Sequence, residues 1–219
     1  MKRVLAVFLF VLVCLGCERD IGVDSTLVIS GYRIDGRVID RIGNPVANVE
    51  IILFYNYEYV DYITPPSKAY IVPASQPTVT VVVKNRSGQT LRTLYSGNPP
   101  AGTFLVDWDK KDAQGNAVPS STYSVQYLVN GVSQKSYDVT VDGTIVAQTD
   151  SLGRYSIADN NLPVGFYPVP LYDSNETTFY GNHRISSNAT LLFVTLTRSR
   201  EVNVFVLEDR VTLLDVVIG

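Results

Sequence analysis

The sequence predicts an all-β protein, and two observations carry that prediction. Fourteen Tyr residues and frequent Val, Ile and Thr favour strands, while Gly, Pro, Asn and Asp recur between the apolar runs as turn residues. Beyond the N-terminal segment no stretch has helical apolar periodicity. A chain of 219 residues can bury one large or two small cores.

The N-terminal segment has the order of a secretory signal. Lys2 and Arg3 precede an apolar run that ends in Leu15, Gly16 and Cys17. The run is too short for a membrane span, which needs about 20 apolar residues. A small residue before Cys resembles the bacterial lipobox, in which the Cys is acylated after cleavage. We therefore expect a signal peptide over 1–16, lipid on Cys17, a tether over 17–30, and anchoring in a bacterial cell envelope at the outer membrane.

Charge and cysteine content limit the classes of partner. Cleavage before Cys17 removes two basic residues and lowers the net charge from −3 to −5. This balance argues against nucleic acid, which needs a concentrated basic face. Both cysteines lie in the signal region, so the remaining chain has no internal disulfide, and stability must come from apolar burial. The expected partners are the membrane, through lipid, and an envelope protein or a glycan.

A first pattern is split between two distant parts of the chain. Residues 36–49 read GRVIDRIGNPVANV, and residues 149–155 read TDSLGRY, followed by LPVGFY at 162–167. Together they resemble the carboxypeptidase regulatory-like module, a small transthyretin-like β-sandwich. About thirty residues cannot bury a core unaided, so the resemblance implies a host sandwich over 31–64 and 143–219 with a second domain inserted over 65–142.

The intervening stretch has its own pattern of alternating valines, a turn, Trp108 in a WD pair, and a later tyrosine strand. It resembles the Ig-like domain of the flagellar hook-capping protein, which implies an Ig-like fold and no particular chemistry. The family pattern has glycine at the positions occupied here by Lys110 and Ser121. We expect Trp108 to anchor the core of this domain.

No constellation of residues predicts catalysis or a metal site. Asp107, Asp109 and Asp112 precede Gly115, but the spacing and a missing distal Glu favour a turn and a solvated face over a calcium loop. His183 is the only histidine, and no Gly-x-Ser-x-Gly elbow presents a nucleophile. We expect a non-enzyme that has no cofactor and no metal.

A tyrosine-rich segment is the candidate binding site. Tyr55, Tyr57 and Tyr59 share one face of any strand, and Tyr62 follows them. Two interpretations remain open: the rings fill the join between host and insert, or they form an exposed platform for a glycan or a protein. The sequence thus predicts a non-catalytic, lipid-anchored β-sandwich scaffold or interaction module, with a carbohydrate-binding surface lipoprotein as the alternative.

Overall fold

The computed structural model describes residues 31–61, 67–164, 168–172 and 178–219. The signal and tether segments with Cys17, and the candidate Tyr62, lie outside these residues. Fifteen strands and one short 3-10 helix make up the regular structure of the described part, so the predicted all-β class is confirmed. In chain order they are β1 Tyr32–Ile39, β2 Glu50–Asp61, β3 Tyr70–Val72, β4 Val79–Lys84, β5 Thr90–Gly97, β6 Gly102–Phe104, β7 Ser121–Val129, β8 Val132–Val141, β9 Thr144–Gln148, β10 Arg154–Ile157, the 3-10 turn Asp159–Asn161, β11 Pro168–Tyr172, β12 Phe179–Val194, β13 Ser199–Phe205, β14 Arg210–Leu213 and β15 Val216–Val217.

The first core lies between two sheets that draw strands from both ends of the described chain. One sheet has the order β10-β1-β14, and β15 also pairs with β1; the other has the order β11-β12-β2-β9, and β13 also pairs with β12. Ile34 lies opposite Ile157 and Gly36 opposite Tyr155 in the antiparallel β1–β10 pair. Val38, Ile51, Tyr155 and Ile157 belong to one buried cluster, so the two halves of the split pattern share a core.

Gly36 shows why the first half of that pattern needs a residue without a side chain. A Cβ at this position would collide with the backbone carbonyl of Leu214 and lie 2.9 Å from the Tyr155 hydroxyl. That hydroxyl donates a 2.7 Å hydrogen bond to the same carbonyl. The glycine therefore lets three strands approach closely at the centre of the sheet.

The described residues that form the second core all lie between β2 and β9. Its main sheet has the order β5-β4-β7-β8, and a two-stranded sheet β3-β6 accompanies it. Alternate residues of β4 and β7 are buried in it, among them Val81, Val83, Val125 and Tyr127. Trp108 packs against this core, 5.2 Å from the Tyr123 ring, and its indole N–H donates to the Lys111 carbonyl at 2.9 Å.

One five-residue turn occurs four times, in both halves of the molecule. Asp40, Asn85, Asp112 and Asp150 each accept, through Oδ1, the backbone N–H four residues later at 2.8 to 2.9 Å. The fourth residue of each turn is a glycine with a φ between 71° and 90°. The side-chain acceptor and the positive φ together explain why the D-x-x-G sequence recurs.

The backbone hydrogen bond from the residue four positions later is the largest cause that lowers the pKa of Asp40, Asp112 and Asp150 below the usual range. A carboxyl whose pKa is lower in the folded state stabilises it above its unfolded pKa of about 3.9, and that contribution is lost as the pH falls through the folded value. We expect a variant with Asp40→Asn, Asp112→Asn and Asp150→Asn to keep its turns, as Asn85 does, and to lose less stability on acidification than the unmodified protein. Urea midpoints at pH 6 and pH 3 measure this.

The matched control for this experiment is Asp107→Asn, which changes an exposed carboxylate. It should reproduce the acid sensitivity of the unmodified chain. An equal loss of stability in the triple variant and the unmodified protein would contradict the assignment of acid sensitivity to these turns.

Candidate functional site

Strand β2 carries one face of side chains from the first core to the surface. Leu53 is fully buried, Tyr55 is 6% exposed, Tyr57 is half-buried and Tyr59 is 60% exposed. The three tyrosines lie on one face of the strand, as the sequence predicts. However, β2 extends beyond the edge of the first core. The tyrosine face therefore changes from packing to surface within five residues.

An exposed, coplanar tyrosine platform is not what the structure shows. The Tyr55 and Tyr57 rings meet edge to face, with centroids 6.2 Å apart and an interplanar angle of 71°. Tyr55 is buried in the first core, and its backbone N–H donates to Asp142, which follows β8. Of the alternatives left open by the sequence, burial at the join describes Tyr55 and Tyr57, whereas Tyr59 is exposed.

Asp142 connects the end of β8 to this tyrosine face. Its carboxylate accepts the Tyr55 backbone N–H at 3.2 Å and the Tyr57 hydroxyl at 3.3 Å. Burial raises the pKa of Asp142, and these hydrogen bonds work against that rise. Burial also raises the pKa of both tyrosines, with a further contribution from the Asp142 charge.

Ser120 makes a second connection, centred on the carbonyl of Leu53. The Ser120 hydroxyl lies 3.0 Å from the carbonyls of Leu53 and Thr144, and it accepts the Thr144 N–H at 2.7 Å. The Gly143 N–H donates to the same Leu53 carbonyl at 2.9 Å. Because Ser120 is fully buried, these partners satisfy a polar group that would otherwise destabilise the join.

The two positions where the sequence departs from the Ig-like family pattern are both explained by the structure. Ser121 is fully buried and donates a 2.6 Å hydrogen bond to the carbonyl of Asn160 in the 3-10 turn, which links the two cores. Lys110 adopts a φ of 61°, the conformation in which glycine is free of strain. The sequence signalled both positions as unusual, but only the structure assigns Ser120, Ser121 and Asp142 to the join.

The exposed end of the tyrosine face forms a small surface cluster. The Tyr59 and His183 rings are 5.6 Å apart at an interplanar angle of 80°, and the Tyr59 ring lies against Gly181. On the opposite face, Glu58 accepts hydrogen bonds from Arg184 at 2.7 Å and Ser186 at 2.9 Å, which lower its pKa. Glu58 is thus already paired and is not a free charge for a ligand.

The described residues form neither a serine–histidine catalytic pair nor a calcium-binding loop. The His183 Nδ1 lies 3.3 Å from the Gly181 carbonyl, and Ser186 bonds to Glu58 instead of the imidazole. Asp109 pairs with Arg92 at 2.8 Å, and Asp112 holds its own turn. Within the described ranges no group of three or more His, Cys, Asp or Glu is placed to hold a metal, and none of the helical structure there is long enough to cross a bilayer.

Two buried cores joined by backbone and hydroxyl hydrogen bonds define a modular β-sandwich protein. Residues 64–131 match the family model described as the FlgD Ig-like domain, which supports the Ig-like assignment for the second core. No curated protein matches the chain. Among solved structures, the Bacillus anthracis TIE protein is similar at 9% identity with a TM-score of 0.18, over 87% of this chain and 51% of that one. The chain thus spans about half the length of that protein.

The loss of stability on substituting each tyrosine should depend on how deeply its ring is buried. We expect Tyr55→Ala to lower the free energy of unfolding by about 3 to 5 kcal/mol, because it removes a ring from the core. Tyr59→Ala should change it by less than about 1 kcal/mol, since the ring is mostly solvent-exposed. Urea-induced unfolding followed by far-UV circular dichroism measures both. A stable Tyr55→Ala variant would show that this ring is not needed for packing.

Proposed function

We propose that the protein is a non-catalytic, lipid-anchored component of a bacterial cell envelope, in which an Ig-like domain is presented by a second β-sandwich as a scaffold or interaction module. The observation that carries the proposal is the way the Ig-like segment is held. Both its final strand and the approach to β7 are bonded to β2 through Asp142, Gly143 and Ser120. Such fixed presentation suits a spacer or a docking domain and requires no reactive group.

The host sandwich is proposed to be of the carboxypeptidase regulatory-like, transthyretin-like type, interrupted over 65–142. Support comes from the split pattern and from the pairing of β1 with β10 and of β2 with β9 and β12. Among the described residues, the first core draws no buried residue from the interval between β2 and β9. An insertion is tolerated when the chain returns to the element that it left, and Gly143, directly after the insert, donates to the Leu53 carbonyl of β2.

Excision tests this proposal. Replacing residues 67–141 by a short Gly/Ser loop should leave a chain that retains β-sheet circular dichroism and unfolds cooperatively, because its core residues are all retained. The matched control is deletion of 144–161, which removes Val146, Tyr155 and Ile157 from the first core and should abolish folding. A chain that is unfolded after the first excision would overturn the insertion.

The envelope address rests on the N-terminal sequence and has its own test. We expect Cys17→Ser to move the protein from the membrane fraction to the soluble fraction and to abolish incorporation of labelled palmitate, because the acylated thiol is lost. Cys14→Ser, three residues earlier, is the control and should leave both unchanged. Retention of the Cys17→Ser protein in the membrane fraction would refute the lipid anchor.

A glycan-binding surface is the second candidate, and the structure reduces its basis to Tyr59 with His183. A sugar ring can stack only on an accessible aromatic face, and Tyr55 offers none. The scaffold or interaction module is therefore the better supported of the two functions.

A further inference from the structure

A cleft of about 260 Å³ lies where the Ig-like sheet meets the first sandwich. Its floor is the outer face of that sheet, and Pro163, which follows the 3-10 turn, closes it from the other side. Pockets of this kind occur preferentially at domain boundaries. Its lining includes the side chains of Lys84, Arg86, Thr122, Ser124, Gln126 and Asp138.

The strand register sets Lys84, Ser124 and Asp138 in one row across the sheet. Lys84 lies opposite Ser124 in the β4–β7 pair, and Ser124 lies opposite Asp138 in the β7–β8 pair. Directly opposed residues point to the same face, and neighbouring strands are about 4.8 Å apart. The backbone positions of Lys84 and Asp138 are therefore about 10 Å apart, with a hydroxyl between them.

The two charges at the ends of this row have no partner among the described residues. Among the described residues neither Lys84 nor Asp138 has an ion pair or a side-chain hydrogen bond, in contrast to Asp109 with Arg92. Burial raises the pKa of Asp138. Lys84 therefore makes one end of the row positive, and Asp138 makes the other end negative.

Polar groups line the space between these ends. Gln126 follows Ser124 on the same face of β7 and supplies an amide to the cleft. The Thr122 hydroxyl, two residues before Ser124, is buried with no hydrogen-bond partner in the described part of the chain. The Thr140 hydroxyl, opposite Thr122 in the β7–β8 pair, has the same character, and such unsatisfied buried atoms are rare in folded proteins.

We propose that this cleft binds a short zwitterionic peptide of about three residues, with its carboxylate at Lys84 and its ammonium group at Asp138. An extended tripeptide spans about 10 Å, which matches the separation of the two ends of the row. Ser124 and Gln126 offer donors and acceptors to the peptide amides between them. This site does not depend on the lipid anchor or on the scaffold function.

The first test varies the ligand and leaves the protein unchanged. Triglycine is titrated into the full chain while the backbone amide signals of residues 84, 124 and 138 are followed by NMR. We expect saturable shifts with triglycine, and binding at least fivefold weaker with N-acetyltriglycine or triglycine amide, each of which lacks one terminal charge. Equal binding of the capped peptides, or no shift with triglycine, would overturn the proposal. Tighter binding of glucuronate than of triglycine would overturn it in favour of an acidic sugar.

The second test varies the two charged residues. Lys84→Gln and Asp138→Asn should each weaken triglycine binding fivefold to tenfold, whereas Lys111→Gln and Asp107→Asn, at exposed positions outside the cleft, should leave it unchanged. Unaltered binding in both cleft variants would refute the assigned ends. If either variant fails to fold, the capped peptides on the unmodified chain still decide the question.

Discussion

The carbonyl of Leu53 is the point on which the arrangement of the two cores depends. It accepts hydrogen bonds from Ser120 and from Gly143, so the approach to β7 and the exit from β8 are bonded to one peptide group of β2. The Asp142 carboxylate accepts two more hydrogen bonds from the same strand, from the Tyr55 backbone N–H and the Tyr57 hydroxyl. After about eighty residues outside this sheet the chain returns to β2 here, since Thr144 pairs with Leu53 in the β2–β9 register.

Much of this fold could be predicted because its patterns are local. The Asp and Gly residues of the four turns carry their own hydrogen bonds and their own positive φ, so a five-residue window suffices to predict them. The contact between residues 34–38 and 155–157 was predictable for another reason. The two halves of one module's sequence pattern are expected to pack together even when a long interval of sequence separates them. The register confirms that contact, with Ile34 opposite Ile157.

The candidate site was less predictable because burial at a join depends on a second, distant surface. The alternation of Tyr55, Tyr57 and Tyr59 gave their shared face correctly but could not show where the neighbouring core would end. Ser121 illustrates the same limit. Its sequence context marks a departure from glycine, whereas its 2.6 Å hydrogen bond to Asn160 needs the folded chain. The row from Lys84 to Asp138 could be recognised only from the register of three paired strands.

The position of β1 has a consequence for how the first sandwich would respond to mechanical load. This strand lies between β10 on one side and β14 and β15 on the other, and residue 31 leads directly into it. Tension applied through the preceding residues along the strand axis would strain the hydrogen bonds to both neighbours together, in shear, instead of opening them one after another. Such a geometry resists extension better than an edge strand whose hydrogen bonds open one at a time.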